Sequence, residues 1–361
     1  MDDDLKFGLQ RKFGIFGLLL VMLLFVGLTF YVFTLFTPLV IVEESNDSVT
    51  NKSLNLTPSA PDIILNTDPE ELLVVVSSLA KEVVFIDTST DKIVERIALS
   101  YESDFAFFDK TQGRLYIAHS DEYVISVINV KNRLLIRNIE LSEKPGDLVV
   151  ADGLVYIVIP DKEKVFVVDP LTEVVDKEIP VGKEPQRIIA SNDASQLFVS
   201  NFRSDTVGVI NPNVQAVSSS IKINSRPFAL GLSRTGRYLA VTNSVESKIT
   251  IVPLKFPKRT RAVGVETAPS GVAFTPRDQL VLVANEGSNT VSFVSLNQDR
   301  VVDSVEVGIA PSNIVISSDG RKAYVANARD DYVSVLDVEG ISVVKSILVG
   351  DGPIEVFLVN V

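Results

Sequence analysis

From Pro311 to Gly350 the chain reads PSNIVISSDGRKAYVANARDDYVSVLDVEGISVVKSILVG. Its apolar residues gather in four short runs, Asn313–Ile316, Ala323–Ala326, Tyr332–Leu336 and Ser342–Leu348. Turn-forming residues separate them: Ser318-Asp319-Gly320, Asn327–Asp330 and Glu339-Gly340. The third run alternates with period two. Short β-branched and aromatic runs bounded by Gly, Asp and Asn predict antiparallel strands joined by tight turns. Helical periodicity is absent from this stretch.

The unit recurs along the chain. Prolines stand at Pro61, Pro145, Pro185, Pro227, Pro269, Pro311 and Pro353, with Ser103 midway between the first two. From Pro185 onward the step is 42 residues. Self-similarity at such a period marks a repeat architecture. Seven copies run from 61 to 350, and an eighth begins at Pro353. Four strands in about 40 residues make one propeller blade. A lone four-stranded sheet leaves its faces bare, whereas radial packing covers both and leaves only short edges. The expected fold is therefore all-β: a seven-bladed β-propeller of four-stranded antiparallel blades over 61–361. A β-solenoid or a sandwich array competes, but solenoid coils are usually shorter. Ring closure has two candidates. Pro353–Val359 can supply the missing strand of the first blade, and so can residues 61–67.

The end of the second run reads Tyr324-Val325-Ala326-Asn327, Leu282-Val283-Ala284-Asn285, Ala240-Val241-Thr242-Asn243 and Phe198-Val199-Ser200-Asn201 in successive copies. With the V-S-V-L-D of Val333–Asp337 and the closing V-G-x-x-P, this resembles the YVTN-family β-propeller repeat of surface-layer-type proteins. The resemblance covers 61–361 and implies the fold. It implies no defined activity. The first three copies diverge, with Ser77, His119 and Ile159 in place of the Asn. An Asn at a strand end suits a tight loop, where its side chain caps backbone amides and tolerates left-handed dihedrals.

Ahead of the repeats, residues 13–37 carry no charge. At 1.5 Å per residue, roughly 25 residues span about 37 Å, enough to cross a bilayer with some tilt. The apolar core is too long for a cleaved signal peptide, and no A-x-A follows it. We expect an uncleaved signal-anchor helix over 13–37, preceding the propeller and sitting in the lipid bilayer. Lys6, Arg11 and Lys12 in the segment 1–12 place the N-terminus in the cytoplasm and the propeller outside. Residues 38–60 form a linker, polar and flexible from Glu43 on. It holds three N-x-S/T triplets, at Asn46, Asn51 and Asn55. Glycans suit such exposed chain, so these are candidate N-glycosylation sites of a cell-membrane glycoprotein.

Composition narrows the chemistry. A net charge of −12 disfavours nucleic-acid binding, which needs a basic face. With no Cys, disulfides, thiolate metal sites and haem attachment motifs are excluded. The absence of Trp argues against the Trp-Asp signature of WD40 repeats. The one histidine, His119, stands at the repeat position of the four Asn residues, so a structural polar role accounts for it better than catalysis. One His and two Met residues build no copper site. There is no D-x-D-x-D-G calcium loop, phosphate loop or nucleophile elbow. We expect no cofactor, no metal and no enzyme activity.

Loops between second and third strands and between blades share one face. On it, Arg187, Phe202, Arg203, Arg226, Phe228, Arg329 and Tyr332 are the residues most like interface anchors, because Arg and aromatic side chains dominate binding hot spots. The expected function is a membrane-anchored extracytoplasmic binding or scaffold module for a protein, glycan or surface-layer partner, or an accessory subunit of a membrane complex. The alternative is a small-ligand sensor, or a carboxylate-dependent hydrolase, working at the channel mouth. Carboxylates converging there would favour it, and a channel filled by apolar residues would oppose it.

Overall fold

A computed structural model describes residues 71–223 and 225–360. The expectations for 1–70, namely the anchor helix, the linker with Asn46, Asn51 and Asn55, and closure by 61–67, lie outside the described residues. Among the described residues no helix is long and apolar enough to cross a membrane.

The strands form seven four-stranded antiparallel sheets. The copy read above supplies Pro311–Ile316, Lys322–Asn327, Tyr332–Asp337 and Ser342–Leu348, which pair in that order. Each strand seen in the sequence is present, most of them a residue or two longer. Among the described residues two single 3-10 turns, Pro160–Lys162 and Phe202–Ser204, interrupt the strands.

The C-terminal segment closes the ring. Pro353–Asn360 pairs antiparallel with Glu71–Ser77, the first described strand, and becomes the innermost strand of blade 1. Glu82–Asp87 and Lys92–Ala98 complete that blade.

Blade packing explains why the middle strands read as unbroken apolar runs. In Glu71–Ser77, Leu72, Val74 and Val76 pack with Ala106, Leu115 and Ile117 of blade 2. Their alternates, Leu73 and Val75, pack with Tyr324, Ala326 and Val333 of blade 7. Successive side chains point to opposite faces of a strand, so a sheet covered on both faces needs apolar residues at every position. The remaining clusters join blade 2 to 3, 3 to 4, 4 to 5, 5 to 6 and 6 to 7. The outermost strands are largely exposed, as in Lys92–Ala98 and Ala216–Lys222.

The repeated Asn works differently from the expectation that it caps its own loop. Asn201 precedes its 3-10 turn with φ −110° and no side-chain cap bond. The left-handed residue of that loop is Asp205, as Ser247 and Asn289 are in the next two blades. The Asn side chain instead reaches sideways. Asn327 Nδ2 donates to Tyr332 O at 2.9 Å and to Ser334 Oγ at 3.0 Å, tying the second strand to the third. Asn201 Oδ1 accepts from Gly182 N at 3.0 Å, tying the strand to the blade-to-blade loop. This strap accounts for the Gly of V-G-x-x-P. A Cβ at Gly182 would lie 2.6 Å from Asn201 Cγ, and one at Gly308 would lie 2.5 Å from Asn327 Cγ.

His119 fills the same place. It is fully buried at the end of Arg114–His119. Its Nδ1 lies 2.8 Å from Glu102 O and its Nε2 2.9 Å from Ser126 Oγ. Ser126 follows His119 by seven residues, as Ser334 follows Asn327. Burial lowers the His119 pKa, so the ring is neutral at pH 7. The strap predicts that His119→Asn keeps the fold and melts within about 1 kcal/mol of the parent, whereas His119→Ala, which removes the contacts to Glu102 O and Ser126 Oγ and empties a fully buried site, costs about 1–3 kcal/mol. Denaturant melts of both variants check this, and equal losses would contradict it.

Candidate functional site at the channel mouth

Each blade-to-blade loop ends at its proline, and the inner strand follows. The second residue after each proline, or after Ser103, starts the wall of the central channel. Around the ring these positions are Glu355, Phe105, Asp147, Arg187, Ala229, Gly271 and Asn313. All but Phe105 line one cavity of about 160 Å³. The residues two further along, Phe107, Ile189 and Phe357 among them, give it an apolar floor.

Charge gathers on this ring. Arg187 enters from blade 4 and pairs with Glu355 of blade 1 at 2.7 Å. Asp147 of blade 3 lies 3.8 Å from the same guanidinium nitrogen. The guanidinium also sits over the Phe105 ring, 4.8 Å from its centroid, and 6.0 Å from that of Phe228. Asn313 Nδ2 donates to Glu355 Oε2. Asp147 accepts from Leu148 N and Ile188 N, each at 2.9 Å. Both carboxylates are buried.

Burial pushes the Asp147 carboxyl up to about 7, against the opposing pull of Arg187. Burial also raises Glu355, which has Arg187 and Asn313 as partners. For Arg187, desolvation works against the charge, but Glu355 and Asp147 overcome it and raise its pKa. Asp147 is thus the weakly paired member of the triad, charged or neutral according to pH.

The seven loop-face residues divide. Arg187 and Phe228 belong to the channel mouth, and Arg187 is engaged there rather than free. Arg226 lies over the Phe202 ring, 5.8 Å from its centroid, one blade boundary away. Arg203 pairs with Glu184 and keeps 73% of its side chain exposed. Arg329 lines a shallow depression with Arg96, Asp330 and Asp351. Tyr332 is half-buried beside that loop. The structure therefore gathers five of the seven about blades 4 and 5 and leaves Arg329 and Tyr332 on blade 7.

Sequence reasoning missed Asp147, Asn313 and Glu355. Copies aligned on the proline would have found them, because charges at that position interrupt a series of Phe, Ala and Gly. Among the described residues no group of three His, Asp or Glu side chains is placed to hold a metal ion.

Comparison with known proteins bears on the fold. The YNCE-like beta-propeller family matches residues 238–361, from the second strand of blade 5 to the closing strand. No curated protein matches the chain. Among solved structures, a functionally unknown protein from Desulfotomaculum acetoxidans superposes with a TM-score of 0.69 at 16% identity, over 80% of this chain and 99% of that one. A putative 6-phosphogluconolactonase from Bacteroides fragilis gives 0.70 at 13%, over 81% and 99%. Kuenenia stuttgartiensis hydrazine synthase gives 0.61 at 17%, over 71% of this chain and 89% of that one. At such identities the likeness is one of fold, and the two of these that carry a named activity differ in it. The chain is a seven-bladed β-propeller repeat protein whose last blades carry the YNCE-like pattern.

Proposed function

We propose that the protein is a non-catalytic binding module, held at the outer face of a membrane by residues 13–37, with the loop face of blades 4 and 5 as its recognition surface. The carrying observation is the Arg-aromatic cluster there. In a chain of net charge −12, Arg203 and Arg226 stand exposed beside Phe202. Such side chains are enriched at binding hot spots, and guanidinium groups there, with Arg203 already engaged by Glu184, pair with acidic groups of a partner. The partner class is an acidic protein or glycan at the cell surface, including a subunit of a membrane complex. The uncharged span and the triplets at Asn46, Asn51 and Asn55 support an outward-facing, tethered propeller.

Cross-linking in intact membranes followed by mass spectrometry tests this. The wild-type chain should capture a defined partner through the loops around Phe202 and Arg226. The double substitution Arg203→Ala, Arg226→Ala should reduce that capture about tenfold, the scale of one to two hot-spot contacts. An unchanged cross-link pattern in the double variant would remove the loop face from consideration.

A further inference from the structure

The channel cavity holds an unbalanced set of groups. Two buried carboxylates, Asp147 and Glu355, face one guanidinium, that of Arg187. Asn313 adds a buried amide oxygen. Its Nδ2 is committed to Glu355, which fixes the amide orientation and leaves Oδ1 without a partner. Across the ring Ala229 and Gly271 carry almost no side chain, and Phe107, Ile189, Val272 and Phe357 make the floor apolar. Gly271 is required there, because a Cβ would stand 2.7 Å from Ser312 O of the next blade.

We infer that this cavity is a binding site for a small organic cation, an alkylammonium with a short apolar body. The ammonium would sit against Asp147, and the body against Phe107, Ile189 and Phe357. Three arguments select this class. Asp147 is a buried carboxylate whose countercharge, Arg187, stands 3.8 Å away and pairs more closely with Glu355, and an ammonium supplies a second one. An anion would meet two carboxylates for one guanidinium, a like-charge cost that opposes binding. The apolar floor of Phe107, Ile189 and Phe357 takes an alkyl body, which a bare metal ion lacks. The volume of about 160 Å³ is close to that of an engineered cavity of about 150 Å³ that takes benzene, so the ligand is small. The site goes beyond the loop-face function and does not depend on it.

Asp147 gives the site a pH signature. The charged groups facing it are Arg187 from blade 4 and Glu355 from the closing strand of blade 1. Its carboxyl titrates near 7, and a bound cation holds it ionised, so binding releases a proton. Affinity should therefore rise with pH and level off above about 7. Between pH 6 and pH 8 the gain is about tenfold, one decade for the pH unit below the apo pKa.

Titration calorimetry of the full-length chain with butylammonium, butyrate and butanol is the test. Saturable butylammonium binding is expected, at least tenfold tighter than butyrate or butanol, and about tenfold tighter at pH 8 than at pH 6. Asp147→Asn should weaken it at least tenfold and remove the pH dependence. Should that variant fail to fold, Ala229→Val, which narrows the cavity without touching the charges, should block binding in the same way. Butyrate binding as well as butylammonium, no saturation in the folded wild type at tens of millimolar, or full affinity in a folded Asp147→Asn protein would each overturn the inference. A chain that loses partner cross-links but keeps butylammonium binding would fail the loop-face proposal alone.

Discussion

A chain ending at Gly352 should lose cooperative folding. The deletion removes Pro353–Asn360, the inner strand of blade 1, and strips the hydrogen-bonding edge from Glu71–Ser77. Val356 and Val359 are buried, and Ile354, Phe357 and Leu358 pack against the same clusters. Burial of each such side chain contributes roughly 1.5–3 kcal/mol when complete. Even at half that, five of them approach the whole stability of an ordinary domain, about 5–15 kcal/mol. The strand also feeds both junctions of blade 1, since Val359 belongs to the cluster with blade 2 and Val356 to that with blade 7. Its loss removes the ladder that ties the end of the last blade to blade 1 and uncovers apolar side chains at both junctions. Expression followed by size exclusion and thermal melting monitored by circular dichroism reads the result. The truncated protein should be insoluble or should melt without a sharp transition. A truncated chain melting at the parental midpoint would show that the ring is not closed by this strand.

What was legible from the repeat follows from which interactions are local to one copy. Strand order, turn positions and blade number depend on a pattern each copy carries whole, so Pro311–Gly350 alone was enough to place its four strands. The choice of closing strand depends on a pairing between the two ends of the propeller, and two segments with suitable apolar patterns competed for it on paper. The polar ring lies further still from local sequence. Arg187 and Glu355 are 168 residues apart. Alignment on the proline marks both as wall positions, but they meet only because closure sets Glu355 on the channel wall of blade 1, and which wall residues pair across the channel is not written in any one repeat. Arg187 therefore read as one more loop arginine. The repeated Asn shows the same limit at short range. Its place at a strand end was clear, but its side chain goes to the neighbouring strand and the incoming loop, where a glycine has made room.

Replacing Arg187 by Met should be the most damaging single substitution at the channel. It leaves Asp147 and Glu355 buried with no countercharge, and breaking a buried ion pair from one side typically costs about 3–5 kcal/mol. The loss should depend on pH, with a sign set by the two acids. Both have folded-state pKa values raised above those of the unfolded chain. The native state therefore binds more protons than the unfolded state between the unfolded carboxylate range, about 4, and the folded Asp147 value of about 7. Stability from these two groups is greatest at the acid end of that window and falls as pH rises through it. Without Arg187 both acids rise further, and the fall steepens. Urea melts of Arg187→Met should show its full deficit at pH 7.5 and a smaller one at pH 5, where the carboxyls take up protons. The triple variant Asp147→Asn, Arg187→Met, Glu355→Gln should recover much of the loss at pH 7.5, because it buries no charge. A deficit in Arg187→Met that is the same at both pH values, or a triple variant no better than the single one, would mean that the arginine acts by packing on Phe105 alone. The triad would then have no part in holding blades 1, 3 and 4 together across the channel.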